Sequence, residues 1–171
     1  MNKMFSRAIR ATFLDRRAHK EAFFDDDAAA DGAILYALVG AASYLIVHLR
    51  IGSLRFFSIT GLLQSAIVLL IGWLVMATST WFVAGRLFGS TLRRPQLMIG
   101  LHGLGALPLL LDAGGQVLGG IGLLWHLAIL TVATEEASSL DLRRSAASVL
   151  IGFAVVTLIR MLLQVPFAVF G

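Results

Sequence analysis

The chain has 171 residues, of which 58% are hydrophobic and only 14% are charged, with a formal net charge of +4. A soluble domain carries about a quarter charged residues, so this composition predicts an integral membrane protein. The basic residues lie in short clusters beside apolar runs, as membrane flanks do, which argues against nucleic acid as a partner. The absence of cysteine excludes disulfides, thiol catalysis and zinc–thiolate sites.

Residues 1–31 form a polar, charged segment before the first apolar run. One helical face of this segment collects its apolar side chains: Phe5, Ala8, Ile9, Thr12 and Phe13. Arg7, Arg10 and Arg17 lie off that face. The pattern predicts a cytoplasmic basic amphipathic helix on an anionic lipid surface, with a solvated tail as the alternative. The acidic run 25–27 and Asp31 suit the first turn of a helix better than a metal site.

Five apolar runs follow, and they predict an all-α polytopic membrane protein with five transmembrane helices over residues 32–171. The expected helices cover 32–47, 58–84, 96–111, 116–134 and 142–170. Pro95 suits the first turn of the third helix, and Pro108 should make its last turn irregular. Asp141 is placed to cap the N-terminus of the fifth helix.

The basic residues are divided unevenly between the two ends of these helices. One end holds eleven of them: Lys3, Arg7, Arg10, Arg16, Arg17, Lys20, Arg86, Arg93, Arg94, Arg143 and Arg144. The other end holds Arg50 and Arg55. The positive-inside rule therefore predicts a cytoplasmic N-terminus and an external C-terminus. A composition rich in Arg, Ala, Gly and Leu favours a bacterial source, and hence the bacterial cytoplasmic membrane.

The stretch 92–144 contains two apolar runs joined only by residues 112–115, which predicts an antiparallel membrane hairpin. A narrow arc of its second helix holds small residues and one histidine: Gly115, Gly119, Gly122 and His126. Small residues let helices approach closely, so this arc is expected to pack against a neighbouring helix. A groove for lipid or substrate is the alternative interpretation.

Four of the polar residues within the expected spans are candidates for function: Gln64, His102, His126 and Arg160. Ionisable groups inside a membrane are candidates for function, although a neutral histidine that donates one hydrogen bond is the commoner case. If all four faced one another, they would form the polar path of a small transporter or channel. Asp112 lies at a depth comparable to that of Arg160, so an Asp112–Arg160 ion pair is also predicted.

No metalloprotease, serine-hydrolase, phosphate-loop or dinucleotide signature occurs in the chain. Glu135 and Glu136 are adjacent and would point about 100° apart on a helix, which is unsuited to a carboxylate dyad. The chain is therefore expected to be non-enzymatic, with no cofactor or metal. Together with Arg143 and Arg144, the two glutamates form a charged loop that is a candidate surface for protein partners or for a second copy of the chain.

Three segments resemble the Yip1 domain family, namely 100–108 (GLHGLGALP), 121–125 (IGLLW) and 135–146 (EEASSLDLRRSA). They are similar to that family's third span, fourth span and following loop. His102 stands where the family usually has an aromatic residue, and the N-terminal Asp-Leu-Tyr-Gly-Pro motif of eukaryotic members is missing. The resemblance is thus to the prokaryotic branch. It implies five membrane helices, a role in partner binding or in membrane organisation and trafficking, and no catalytic residues.

Overall fold

The computed structural model describes residues 2–50, 52 and 57–169. These residues form helices only, with no strand among them. The elements are α1 (Asn2–Thr12), α2 (Arg16–Phe23), α3 (Ala28–Arg50), α4 (Ile59–Phe88), α5 (Pro95–Gly103), a 3₁₀ segment (Leu107–Gly114), α6 (Gln116–Ser138) and α7 (Leu142–Val169).

Four helices are long and apolar enough to cross a membrane: α3, α4, α6 and α7. The α5 helix and the 3₁₀ segment pass the same criterion only as a pair, and they are bent by 51° relative to each other. The all-α fold is therefore confirmed, with four or five helices that are able to cross a membrane. The third expected helix, 96–111, is interrupted before Pro108, so that α5 and the 3₁₀ segment form either one broken span or a re-entrant loop. Asp141 caps α7 as predicted, since its Oδ1 accepts a hydrogen bond from the Arg144 N–H at 2.9 Å.

The break in the third span follows from Pro108. Proline has no N–H and its ring excludes the carbonyl four residues earlier, so it kinks or breaks a helix at that point. α5 ends at Gly103, and the N–H of Gly105 bonds the carbonyl of His102 (3.1 Å) instead of continuing the α-helical pattern. The carbonyl of Gly105 is left without an intrahelical donor, because a 3₁₀ bond to it would have to come from Pro108. It is thus available to a side chain from another helix.

α3 and α5 cross at two glycines. A Cβ atom built on Gly103 would lie 2.5 Å from the Cα of Gly32, and one built on Gly32 would lie 2.7 Å from the Cα of Gly103. Real Cβ atoms do not approach so closely, so the crossing requires glycine on both helices. The close approach brings α5 into the buried core, where Leu101 and His102 have no exposed surface.

α1 and α2 fold back against the bundle. The buried side of α1 consists of Met4, Arg7, Ala8 and Ala11. The apolar face expected from the sequence is therefore divided. Ala8 faces the bundle, whereas three large side chains of the same predicted face are exposed: Phe5, Ile9 and Phe13. Arg7, which was expected off the apolar face and toward anionic lipid, is buried, because its guanidinium pairs with Glu21 and Asp25.

Those partners neutralise the basic residues of α1. Arg7, only 4% exposed, forms an ion pair with Asp25, which also accepts a hydrogen bond from the Lys3 ammonium at 2.9 Å. The ammonium of Lys3 has the larger effect and the guanidinium of Arg7 the next, and together they hold the pKa of Asp25 well below its usual range. Arg10 lies 2.8 Å from Asp15 and also pairs with a glutamate of α2. Hence little of the positive charge of α1 is left to attract anionic lipid.

We expect protonation of His19 to weaken the docking of α2. His19 has no exposed surface, and its Nδ1–H donates to the carbonyl of Asp15 at 3.2 Å. Burial lowers its pKa below the ordinary 6.5. Because the folded state disfavours the charged ring, this contribution to stability is present above about pH 6.5 and is lost as the pH falls through the lowered folded-state pKa. The melting temperature should therefore fall more between pH 7.5 and 5 for the wild type than for His19→Phe. An equal fall in the two proteins would contradict the prediction.

Candidate functional site, a polar cavity between the helices

A cavity of about 830 Å³ lies between α3, α4, α6, α7 and the 3₁₀ segment. This is within the range of roughly 300–1,000 Å³ that is typical of small-molecule pockets. It occupies the end of the bundle opposite α2, where α4 and α6 begin. Its apolar side chains are Val68, Leu69, Leu109, Leu123, Phe153 and Val156. Its polar side chains are Ser43, Tyr44, Gln64, Ser65, Asp112, Gln116, Thr157 and Arg160.

Asp112 and Arg160 both line this cavity, as their similar predicted depth suggested, but they do not form an ion pair with each other. The reason lies in how Asp112 is seated. Its Oδ1 is only 2.6 Å from the place where a Cβ of Gly119 would be, so the carboxylate rests on α6. Among the described residues, neither Asp112 nor Arg160 has an ion-pair partner. The cavity therefore contains one cation and one anion that no described side chain neutralises.

Most hydroxyl groups of the cavity already bond the protein. Ser65 donates to the carbonyl of Gly40 at 2.9 Å, and Thr157 donates to the carbonyl of Phe153 at 3.0 Å. The Tyr44 hydroxyl accepts a hydrogen bond from a backbone N–H at 3.3 Å. The hydroxyl protons of Ser65 and Thr157 are thus used within the protein, whereas that of Tyr44 has no acceptor among the described residues. Arg160 and Asp112 are the charged groups of the cavity.

A smaller inner cavity of about 100 Å³ shares part of this lining and reaches His126, Trp73 and Tyr36. Tyr36 and Trp73 stack with ring centroids 5.2 Å apart. The Nδ1–H of His126 donates to the carbonyl of Gly105 at 2.7 Å, which satisfies the carbonyl that Pro108 leaves free. His126 therefore has a structural bond, and its Nε2 remains an acceptor. The indole N–H of Trp73 is buried without a partner among the described residues.

His102 does not line either cavity. It has no exposed surface, and its Nε2–H donates to Thr134 Oγ1 at 3.0 Å, because that hydroxyl in turn donates to the carbonyl of Leu130. Of the predicted polar path, Gln64 lines the larger cavity, His126 lines the inner one and Arg160 lines both. His102 is separate from them. Beyond His126 the described side chains are fully buried: Leu101, Ile129, Leu130 and Ala133.

The small-residue arc of α6 lies against the broken third span. Gly122 packs against the carbonyl of Pro108, and Gly119 packs against Asp112. Gly115 adopts a φ of +102° at the start of α6 and lies beside the guanidinium of Arg50. The four-residue connection expected at 112–115 is thus shorter in the structure, because the 3₁₀ segment continues to Gly114. The arc allows the 3₁₀ segment to approach α6 closely, and this approach places Asp112 at the cavity.

The charged loop expected at 135–144 is mostly helical. Glu135 and Glu136 belong to the last turns of α6, so only residues 139–141 connect α6 to α7. Arg16 of α2 lies 2.6 Å from Glu135 and 3.0 Å from Glu136. Both glutamates are thus occupied by the protein's own N-terminal segment. Arg143 and Arg144 are in the first turn of α7 and are exposed.

Sequence reasoning missed several residues of the site. Tyr36, Trp73 and Gln116 were not singled out, although they line the two cavities. Gln116, directly after the glycine turn, was a recognisable signal, since a polar residue at the start of a span faces either water or a cavity. No signal marked Trp73, because an indole that faces lipid and one that faces a cavity look alike in a sequence.

No protein-family model matches the chain, and no curated protein or solved structure shows significant similarity to it. The likeness to the Yip1 domain family therefore rests on the three quoted segments. What remains established is an all-helical chain with four or five helices that are able to cross a membrane.

Proposed function

We propose that this protein is a non-enzymatic integral membrane protein that binds a small amphiphile in the cavity between α3, α4, α6 and α7. The observation that carries this proposal is the coexistence, in about 830 Å³, of an apolar wall with an uncompensated Arg160 and Asp112. A ligand with a polar head and an apolar tail fits such a lining. Pockets of this kind, with a few placed polar groups, are the usual form of a ligand site.

The proposal places the α2 end of the bundle in the cytoplasm and the cavity at the outer side of the bacterial cytoplasmic membrane. The excess of Lys and Arg at the α2 end supports this orientation. A binding role is compatible with the organising and trafficking role that the Yip1 resemblance implies. The exposed Arg143 and Arg144 then belong to the basic cytoplasmic surface that is open to a protein partner.

A transporter is the second candidate function. The observation that favours it is that Gln64, Arg160 and His126 line connected parts of the cavity system. Transport would require a second conformation, because the described side chains beyond His126, among them His102 and Thr134, are fully buried. Binding alone needs no such change, so it is the simpler proposal.

We expect the wild-type protein in dodecyl maltoside micelles to immobilise a tail-spin-labelled lysophospholipid saturably, as measured by electron paramagnetic resonance. Val156→Phe should weaken this binding about tenfold, which corresponds to about 1.4 kcal/mol, because the added ring occupies the cavity. Val155 is the matched control, since it is the adjacent valine of α7 and does not line the cavity. Val155→Phe should leave the affinity within about twofold.

Two outcomes would contradict the proposal. One is no saturable immobilisation by the wild type with either a zwitterionic or an anionic headgroup. The other is equal loss of affinity in the two valine variants. Flux of a lysophospholipid across proteoliposomes, lost in Val156→Phe and kept in Val155→Phe, would replace binding by transport as the function.

A further inference from the structure

We propose that the cavity is selective for a zwitterionic single-chain amphiphile, whose anionic group binds Arg160 and whose ammonium group binds Asp112. This inference rests on the proposed function and names its ligand class. It depends on the charges of the cavity, on the way Asp112 is held, and on the distribution of apolar side chains. Each of these three observations restricts the ligand further.

The two charges define the polar head. Arg160 and Asp112 line one cavity, yet no described side chain neutralises either of them. Both side chains are exposed to the open cavity, where each can pair with an opposite charge that a ligand supplies. The guanidinium of Arg160 suits a phosphate or carboxylate, which it can bind through two N–H groups. The carboxylate of Asp112 suits an ammonium group.

The packing of Asp112 keeps it available to a ligand. Its Oδ1 rests on Gly119, where any larger residue would displace it. The segment that carries it is held by Arg50, whose Nη1 donates to the carbonyl of Ala113 at 3.1 Å. Asp112 is therefore held in place as a charge separate from Arg160. A ligand with only one charge would leave the other uncompensated in the cavity.

The apolar lining accounts for the tail. Leu109, Leu123 and Phe153 line both the larger cavity and the inner one that reaches His126, and Arg160 also lines both. A volume of about 830 Å³ corresponds to a drug-sized ligand, which favours one chain over the two chains of a phospholipid. A zwitterionic head could equally belong to a water-soluble molecule such as phosphoethanolamine. The apolar continuation favours the lipid, and the experiment includes both.

The test compares four ligands. Three carry the same spin-labelled tail: lysophosphatidylethanolamine with both charges, lysophosphatidylglycerol with the anion alone, and an alkylammonium with the cation alone. The wild type in dodecyl maltoside should bind the first at least about tenfold more tightly than the other two, which corresponds to about 1.4 kcal/mol. Phosphoethanolamine, the head without a tail, should displace the first ligand only at much higher concentration.

Two variants should then lose affinity in a crossed pattern. Arg160→Gln should weaken the two phosphate ligands about tenfold and leave the alkylammonium unchanged or tighter. Asp112→Asn should weaken lysophosphatidylethanolamine and the alkylammonium about tenfold and leave lysophosphatidylglycerol unchanged or tighter. A misfolded variant would lose all ligands together, so the crossed pattern cannot arise from misfolding. Arg143→Gln and Asp27→Asn remove the same charges from exposed positions outside the cavity, and both should bind like the wild type.

The outcomes separate the two proposals. Saturable binding of all three tailed ligands within about twofold, or equal loss of all of them in both cavity variants, would overturn the zwitterion selectivity and leave the amphiphile-binding function standing. No binding of any tailed ligand to the wild type would overturn the proposed function itself. If phosphoethanolamine bound as tightly as lysophosphatidylethanolamine, the recognition of two charges would be supported. The requirement for an apolar tail would be overturned.

Discussion

Gly103→Ala is expected to destabilise the protein by about 1–3 kcal/mol, the usual cost of an additional methyl group in a packed core. The new Cβ would lie 2.5 Å from the Cα of Gly32, and a backbone atom cannot rotate away as a side chain can. α3 and α5 would have to separate at their crossing. The melting temperature in detergent should fall by roughly 5 °C, since 1 kcal/mol corresponds to about 2–4 °C for a chain of this size.

Gly72→Ala is the matched control for this substitution. Gly72 is also inside a membrane-spanning helix, but a Cβ built there meets nothing within 4 Å. Alanine is the better helix former, so this variant should keep or slightly raise the melting temperature. A melting temperature unchanged by Gly103→Ala would show that the α3–α5 crossing is wider than the structure describes.

Arg7→Met is expected to release α1 from the bundle and to destabilise the protein by about 3 kcal/mol. Removing one partner of a buried ion pair costs roughly 3–5 kcal/mol because the other charge is left uncompensated. The low end of that range applies here, because Asp25 still pairs with Lys3 in the variant and its carboxylate is partly exposed to solvent. Thermal unfolding should report the loss of stability. Faster tryptic cleavage at Arg10 should report that α1 is released.

Arg17→Met serves as the control, because Arg17 is exposed and has no described side-chain partner. Its effect should be within about 0.5 kcal/mol. If trypsin cleaved both arginine variants at the same rate and their melting temperatures were equal, the buried position of Arg7 would be contradicted. Slower cleavage in Arg7→Met than in the wild type would exclude α1 release altogether.

The break in the third span was only partly predictable. Pro108 indicated that a helix could not continue normally, because that consequence follows from covalent structure. The sequence did not indicate which group would satisfy the freed carbonyl of Gly105. That group is His126, which lies 21 residues away on α6. The sequence left two roles open for His126, a structural one and one linked to a ligand. Its hydrogen bond to the carbonyl of Gly105 is a structural role.

The N-terminal segment shows a similar division. Periodicity identified an amphipathic helix, and α1 is present. Periodicity assigns every apolar residue to one face, however, and cannot distinguish a face that meets protein from one that meets lipid. Small residues such as Ala8 and Ala11 meet the bundle, whereas Phe5, Ile9 and Phe13 stay exposed. The ion pairs of Arg16 with Glu135 and Glu136 join residues about 120 apart, which no local pattern could predict.

The sequence by itself determined the membrane-spanning class, the all-α fold, the antiparallel hairpin and the cap at Asp141. These features depend on composition, hydropathy and backbone chemistry within a few turns of helix. The tertiary structure alone decided the Gly32–Gly103 crossing, the partners of the buried histidines and the cavity that holds Asp112 and Arg160. Those features depend on contacts between segments distant in the chain. In a membrane such contacts are set by close packing and hydrogen bonds rather than by hydrophobicity, so an apolar sequence carries little record of them.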